Sequence, residues 1–286
     1  MTIPEFELLR PRTLGEASEL LLKHGDEARL LAGGTTLVIL MKQRTAYYPH
    51  LIDLQAIAGL DHITADGGGI RIGAMATPRA VECSPIIRNR FPALADACGK
   101  IGNVRIRATA TVGGNLAHAD YRLDPPPVFL ILRAELVLAG PSQSRTVPIK
   151  DFYRGLYETA LEPGEILVEV RIPTAPTGSR TLYLKFSSLS ANDWPCLGVA
   201  ALLRLSGNRC DELRLAVSGL AMKPLLIQGL EFVRNEAITD SLLDEITRIV
   251  DQQISPITDL RGSEWYKREM ARVFVKRAIR ELEKGR

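Results

Sequence analysis

Apolar and polar positions along the first 60 residues predict a layer of helices and strands. The segment "TLGEASELLLKHG" (13–25) starts with threonine, carries glutamate three residues later and ends at glycine, which is the capping pattern of an amphipathic helix. The short apolar runs "ARLLA" (28–32) and "HLIDL" (50–54) predict buried strands, and "LVILMKQR" (37–44) predicts a helix between them. Strand, helix and strand in this order are typical of a βαβ-type layer.

A second unit of mixed structure follows this layer. The run Ile70–Ile72 predicts a strand, and "FPALADACG" (91–99) predicts a short helix that ends at its glycine. Further along, "VFLILRAELVLAG" (128–140) and "ILVEVRIP" (166–173) are rich in β-branched residues and partly alternating. We therefore predict strands in both segments.

The composition changes at "PTAPTGS" (173–179), which is typical of a linker. Beyond it, the pattern predicts three consecutive antiparallel strands and then two helices: "RTLYLKFSS", "CLGVAALLRLSG", "ELRLAVSGLA", residues 239–254 and residues 263–284. We place a domain boundary near residue 178, with two α/β subdomains before it (about 1–60 and 61–177) and residues 178–286 after it. The predicted fold class is α+β.

Composition and charge exclude several classes of protein. The chain of 286 residues is 46% hydrophobic and 24% charged, as globular proteins are. Its 36 basic and 33 acidic residues nearly balance, so we expect no nucleic-acid partner. No apolar run approaches the roughly 20 residues that a membrane span needs. The amino-terminal stretch carries charges where a signal peptide has apolar residues, and we expect a cytoplasmic protein.

The cysteines predict no metal chemistry in this chain. Cys83, Cys98, Cys196 and Cys210 are scattered singly, without a C-x-x-C pair, so neither a zinc site nor an iron–sulfur cluster follows from their spacing. We expect them to be buried free thiols. Any redox chemistry then depends on an organic cofactor.

Two glycine turns are the candidates for binding such a cofactor. "AGGTT" (32–36) and "TVGGN" (111–115) each follow a strand-like run, and backbone N–H groups without a nearby Cβ can converge on an anion. The first turn also opens a helix, whose amino terminus favours a phosphate. Neither turn is G-x-G-x-x-G or a P-loop. Taken alone, the residues leave two alternatives open: a cradle for a diphosphate, or ordinary turn geometry.

Longer stretches of the chain resemble a known family. Residues 109–140, "TATVGGNLAHADYRLDPPPVFLILRAELVLAG", taken with "LLAGGTTL" (30–37), closely resemble the FAD-binding medium subunits of molybdenum hydroxylases, in the carbon monoxide dehydrogenase and xanthine dehydrogenase family. "YLKFSSLSANDWPCLGVAA" (183–201) and "TDLRGSEWYKREMARVFVKRA" (258–278) are similar to the carboxy-terminal domain of that family. The resemblance implies an FAD-binding domain of the p-cresol methylhydroxylase type, followed by a three-stranded antiparallel sheet with helices.

The resemblance also implies a set of site residues. Ala32, Gly33, Gly34, Thr35 and Thr36 match the first diphosphate loop of the family. The second loop is matched by Thr111, Val112, Gly113, Gly114 and Asn115. Asp124 matches an acidic residue that hydrogen-bonds the adenosine part of FAD. The remaining matches are two apolar positions that line the cofactor and one basic position near the flavin: Ile101, Leu167 and Lys185.

The sequence departs from the family pattern after His118. The family reads A-D-P there, whereas this chain has Tyr121 in place of the proline, and Pro125 stands where a leucine is common. The loop between Asn115 and Asp124 is therefore expected to differ from that of the relatives. Trp194 lies where relatives place an aromatic residue that covers the isoalloxazine, although a core position would suit a tryptophan equally well.

Three functional hypotheses follow. The first is an electron-transfer subunit with noncovalent FAD, whose partners are a large subunit with the molybdenum cofactor and a small subunit with two [2Fe–2S] clusters, in a heterotrimer or a dimer of heterotrimers. The second is a self-sufficient FAD-dependent oxidase of the p-cresol methylhydroxylase type. Many such oxidases tether flavin through a histidine beside the first loop, and no histidine here is nearer in sequence than His24 and His50. The third is a binding module without a cofactor.

Overall fold

A three-stranded parallel sheet forms the first part of the computed structural model, which describes residues 3–285. Its strands lie in the order β1-β3-β2, so β3 pairs with both neighbours. Its elements are β1 (Glu7–Leu9), α1 (Leu14–His24), a 3₁₀ turn (Gly25–Glu27), β2 (Ala28–Leu31), α2 (Leu37–Lys42), β3 (His50–Asp53) and a second 3₁₀ turn (Leu54–Ala56). The predicted βαβ layer is confirmed.

The cap of α1 explains why that helix begins where the sequence predicted. The Oγ1 of Thr13 accepts a hydrogen bond from the N–H of Glu16 (3.2 Å), and the Glu16 carboxylate accepts one from the N–H of Arg12 (2.7 Å). The helix ends at Gly25, whose φ of 52° favours glycine.

The middle part of the chain is an antiparallel sheet covered by short helices. Its five long strands lie in the order β4-β5-β10-β6-β7, with a separate two-stranded hairpin beside them. The elements are β4 (Ile63–Asp66), β5 (Gly69–Gly73), α3 (Pro78–Cys83), α4 (Pro85–Arg90), α5 (Pro92–Gly99), α6 (Val104–Thr109), α7 (Val112–His118), α8 (Pro125–Ile131), β6 (Glu135–Ala139), β7 (Ser144–Pro148), α9 (Ile149–Phe152), β8 (Tyr153–Gly155), β9 (Glu158–Thr159) and β10 (Ile166–Ile172).

Two of the predicted strands are helical instead. The run before the second glycine turn is α6, whose first N–H groups are capped by the side chain of Asn103. The first half of 128–140 belongs to α8, which begins at a proline and is buried on all sides, so its sequence shows no helical period. Only β6 is a strand there.

The last part of the chain is a four-stranded antiparallel sheet covered by two helices. The predicted three strands are present, and a two-residue fourth strand extends the sheet, so the three-stranded expectation was too small. The elements are β11 (Arg180–Phe186), β12 (Leu197–Ser206), β13 (Arg209–Ser218), β14 (Leu225–Leu226), a 3₁₀ turn (Glu231–Val233), α10 (Asp240–Gln253) and α11 (Glu264–Glu283).

Strand β12 shows how the last sheet joins the middle of the molecule. Its side chains alternate between two faces. Val199, Ala201 and Leu203 belong to the core beneath α10 and α11, whereas Ala200 and Leu202 belong to the core that surrounds α5 and α8. The sheet is therefore buried on both faces, and one apolar core includes residues on both sides of the segment 173–179. Within residues 3–285, no helix has the length and apolar character needed to cross a membrane.

Candidate functional site

A cleft of about 1040 Å³ runs between the parallel sheet and the rest of the molecule. Its size is that of a site for a large organic ligand. The structure places all but two of the predicted cofactor-binding residues on its walls: Ala32, Gly33, Gly34, Thr35, Thr36, Ile101, Thr111, Gly113, Gly114, Asn115, Asp124 and Leu167. Val112 is buried in the core instead, and Lys185 lies behind Asp124.

The first glycine turn offers free hydrogen-bond donors to the cleft. It connects β2 to α2, and Gly34 has a φ of 68°, a left-handed conformation that suits glycine. Within residues 3–285, the backbone N–H groups of Gly33–Thr36 donate to no protein acceptor. The segment therefore presents consecutive donors, with two threonine hydroxyls, to any anion in the cleft.

Gly33 is required by a close approach of two backbones. A Cβ at this position would lie 2.1 Å from the carbonyl oxygen of Thr109 and 2.8 Å from the Cα of Ala110. The first turn thus contacts the segment that leads into α7, and the two glycine segments lie side by side although about 75 residues separate them in the sequence.

The second glycine segment has a different role from the first. It forms the first turn of α7, and its backbone donors are already used: the N–H of Val112 to Ala76 (2.9 Å), that of Gly113 to Ala74 (2.7 Å) and that of Gly114 to the Oγ1 of Thr111 (3.0 Å). The prediction that both segments offer converging backbone amides is therefore wrong for this one. What it offers is a side chain, because the Oδ1 of Asn115 is buried and has no partner within residues 3–285.

A buried charged cluster lies behind another wall of the cleft. Asp124 accepts hydrogen bonds from the hydroxyl of Tyr183 (2.7 Å) and the Nζ of Lys185 (3.0 Å). Lys185 also donates to the carbonyl of Lys100 (2.8 Å). Burial raises the pKa of Asp124 to about 6, and the donors from β11 offset only part of that rise. Two side chains of β11, Tyr183 and Lys185, therefore contact the cleft wall through Asp124.

Three aromatic side chains lie on the cleft wall where it meets solvent. The rings of His118 and Tyr157 are 5.2 Å apart, and those of His118 and Trp194 are 6.4 Å apart. All three residues line the cleft, and Tyr157 is 53% exposed. Burial lowers the pKa of His118, which favours its neutral form. Only Trp194 was singled out from the sequence; His118 stands in the quoted motif, but nothing in the sequence pointed to Tyr157.

The cysteines do not form a cluster. Cys98, Cys196 and Cys210 are buried, as expected, whereas Cys83 is exposed, so the prediction of burial is wrong for that residue. In the part of the chain that the structure describes, no three histidine, cysteine, aspartate or glutamate side chains are grouped to hold a metal ion.

The residues of the cleft fit an adenine dinucleotide such as FAD. Free amides at the first turn suit a diphosphate, the unpartnered Asn115 oxygen suits a polar group of the ligand, and apolar residues such as Ile101 and Leu167 suit its rings. Among the described residues, the amides of the first turn donate to no helix or sheet, and polar groups without a protein partner are typical of a ligand site.

Comparison with known proteins agrees with this fit. Residues 4–175 match the profile of the FAD binding domain in molybdopterin dehydrogenase, and residues 183–282 match that of the CO dehydrogenase flavoprotein C-terminal domain. The carbon monoxide dehydrogenase medium chain of Hydrogenophaga pseudoflava is 36% identical over 98% of this chain and 97% of its own length. The glyceraldehyde dehydrogenase medium chain of Sulfolobus acidocaldarius is 31% identical over 98% and 99%.

Solved structures give the same result. Carbon monoxide dehydrogenase from Hydrogenophaga pseudoflava aligns with a TM-score of 0.95 at 36% identity, over 99% of this chain and 98% of that one. Quinoline 2-oxidoreductase from Pseudomonas putida 86 aligns with a TM-score of 0.93 at 28% identity, over 100% and 99%. The fold and the site define an FAD-binding oxidoreductase subunit. The chain belongs to the family of FAD-binding medium subunits of molybdenum hydroxylases, as the sequence resemblance implied.

Proposed function

We propose that this chain carries FAD in a molybdenum-dependent hydroxylase or dehydrogenase complex and transfers electrons from a partner's [2Fe–2S] clusters to an external acceptor. The observation that carries the proposal is the row of unpartnered N–H groups at Gly33–Thr36, which faces a cleft of dinucleotide size. Membership of the family supports it, because the relatives from Hydrogenophaga pseudoflava and Sulfolobus acidocaldarius are medium chains of dehydrogenases.

Each part of the cleft has a proposed task. The amides of Gly33–Thr36 hold the diphosphate, and the side chain of Asn115 adds a polar contact. Asp124 retains lone pairs beyond those that accept from Tyr183 and Lys185, so its carboxylate can also accept a hydrogen bond from the adenosine part. Thr111 and Val112 act indirectly, since Thr111 caps α7 and Val112 anchors it in the core.

The remaining tasks belong to the bound group and to other chains. FAD, when bound, supplies the redox chemistry, and this chain orients it and shields it from water. We propose that a large subunit holds the molybdenum cofactor and that a small subunit holds two [2Fe–2S] clusters. A boundary near residue 178, between an FAD-binding domain (1–177) and a carboxy-terminal domain (178–286), is part of the same proposal.

The alternative function is a self-sufficient flavin oxidase, and His118 is the residue that could tether a flavin in such an enzyme. No histidine is nearer to the first glycine turn in sequence than His24 and His50, which disfavours a covalent flavin. In the folded chain His118 lines the same cleft as the first glycine turn. A histidine is therefore within the cleft although none is near the turn in sequence.

Acid precipitation tests the mode of attachment. We expect the protein to hold FAD noncovalently, because hydrogen bonds to the first turn and burial in the cleft suffice for binding. Trichloroacetic acid should then release the yellow colour into the supernatant. Colour that stays with the pellet would contradict noncovalent binding. If the pellet of a His118→Ala variant were then colourless, His118 would be the tether.

Native size tests the electron-transfer role. We expect the protein extracted from its source to elute well above the 31.4 kDa of one chain, with two further chains, molybdenum and iron in the same peak. Closed assemblies are commonly symmetric, so a duplicated heterotrimer is the expected form. The recombinant chain alone is the control. A flavin-loaded single chain that oxidises an organic substrate unaided would overturn the proposal in favour of the oxidase.

A further inference from the structure

Arg122 is held between two aromatic rings beside the cleft. Its guanidinium carbon lies 5.0 Å from the ring centre of Tyr121 and 5.2 Å from that of Trp194. Both distances are within the range of cation–π attraction, and a planar guanidinium can stack on two rings at once.

A buried carboxylate fixes Arg122 in this position. The Nε of Arg122 donates to the Oδ1 of Asp120 (2.9 Å) and its Nη2 donates to the Oδ2 (2.7 Å), a two-pronged contact. Asp120 is 1% exposed, and the hydroxyl of Tyr157 donates to its Oδ2 as well (3.0 Å). Ala119, with a φ of 53°, turns the chain sharply after α7 and so places Asp120 here.

The loop that carries Trp194 is held from the other side. Arg261 donates to the carbonyl of Trp194 (3.3 Å) and to the Oδ1 of Asp193 (2.9 Å), which fixes the backbone of the loop. These contacts involve the backbone of Trp194 and the side chain of Asp193 and do not hold the indole ring itself. Arg122 lies against the indole, and the ring of His118 lies farther from it, at 6.4 Å.

We infer that Arg122 is a positioning residue: it fixes the indole of Trp194 against the cleft wall, and the indole thereby limits the access of small solutes to the cofactor. The second half of this inference rests on the proposed FAD site, whereas the first half concerns the protein alone. Because Trp194 and the 53% exposed Tyr157 both line the cleft at its solvent side, a displaced indole would widen the approach to the ligand.

Acrylamide quenching of tryptophan emission measures the position of the indole. Trp265, the other tryptophan, is 69% exposed and is first replaced in a Trp265→Phe background, which leaves Trp194 as the only reporter. Acrylamide is neutral, so a lost charge does not change its local concentration. We expect Arg122→Ala to raise the quenching constant of Trp194 about two-fold, because a lost cation–π contact at a partly exposed site shifts the packed population by roughly two- to five-fold.

Arg122→Lys separates geometry from charge. Lysine keeps the positive charge but cannot make the two-pronged contact or stack between rings, so it should raise the quenching constant as alanine does. Arg29→Lys, at another arginine of the cleft, is the matched control and should leave Trp194 unchanged. Circular dichroism confirms that each variant is folded, and an unchanged quenching constant in folded Arg122→Lys overturns the inference.

The loaded protein tests the access to the cofactor separately. Iodide should quench the flavin emission of Arg122→Lys about two-fold more strongly than that of the parent, with equal charge in both. Equal quenching of the two flavins would overturn the role in access. Absence of FAD from the parent protein would instead contradict the proposed function, while the acrylamide result on Trp194 still decides the positioning role.

Discussion

Gly114→Val is expected to abolish FAD binding while most of the fold remains. A Cβ on Gly114 would lie 2.8 Å from the Oγ1 of Thr111 and 3.9 Å from the Cβ of Ala32. The valine methyl groups would therefore enter the gap between the two glycine segments and also disturb the cap of α7. We expect a loss in FAD affinity of about 100-fold or more, equivalent to about 2.7 kcal/mol, measured by fluorescence titration.

A second glycine provides a matched control for this substitution. Gly15 also lies in the first turn of a helix behind a threonine cap, but a Cβ there would have no neighbour closer than 3.9 Å. Gly15→Val therefore carries the cost of valine in a helix without filling the cleft, and it should retain normal flavin content. If Gly114→Val also retains full flavin content, the second glycine segment is only structural.

Local signals explain most of the correct predictions from the sequence. The cap of α1, the strands β2 and β3 and the helices α10 and α11 all follow from short-range patterns that the structure preserves. The errors occur where burial removes such patterns. Helix α8 is buried on all sides, so an apolar run that is helical could not be distinguished from a strand.

The candidate site was predictable to the extent that single residues carry local signals. The glycines of both segments carry such a signal, because glycine is common where the backbone turns or where two backbones approach closely. The different roles of the two segments could not be predicted from the sequence. The first N–H groups of α7 donate to carbonyls near Ala74, almost 40 positions earlier in the chain. His118, Tyr157 and Trp194 come together only through the fold, and no local pattern in the sequence signals that contact.

The Asp124–Lys185 pair joins residues that are 61 positions apart. Because Asp124 is buried, we expect the free energy of unfolding of the protein to depend on pH. The pKa of Asp124 in the folded chain is about 6, above its ordinary value of 3.8. Between these two values the folded state holds a proton that the unfolded state releases. The free energy of unfolding of the parent protein therefore loses a contribution as the pH rises from about 4 to 6, and this loss ends above pH 6.

In a Lys185→Met variant, the free energy of unfolding should continue to fall above pH 6. Without the ammonium group, the hydroxyl of Tyr183 is the one side-chain donor that remains to Asp124 within residues 3–285, so the pKa of the buried carboxyl rises beyond 6. Above pH 6, each further pH unit then lowers the free energy of unfolding of the variant by about 1.4 kcal/mol relative to the parent, or by roughly 3 kcal/mol at pH 8. Urea unfolding at pH 5.5 and pH 8 measures the difference, which should be small at the lower value.

Two further variants identify Asp124 as the source of the effect. Lys276→Met removes a surface lysine that pairs with Asp244, and it should have little effect on the free energy of unfolding at either pH, because solvent screens such a pair. In an Asp124→Asn background, Lys185→Met should show no dependence on pH, because asparagine does not titrate in this range. A pH-dependent cost that persists in that background would contradict the assignment. Its disappearance would identify Asp124 as the group that titrates.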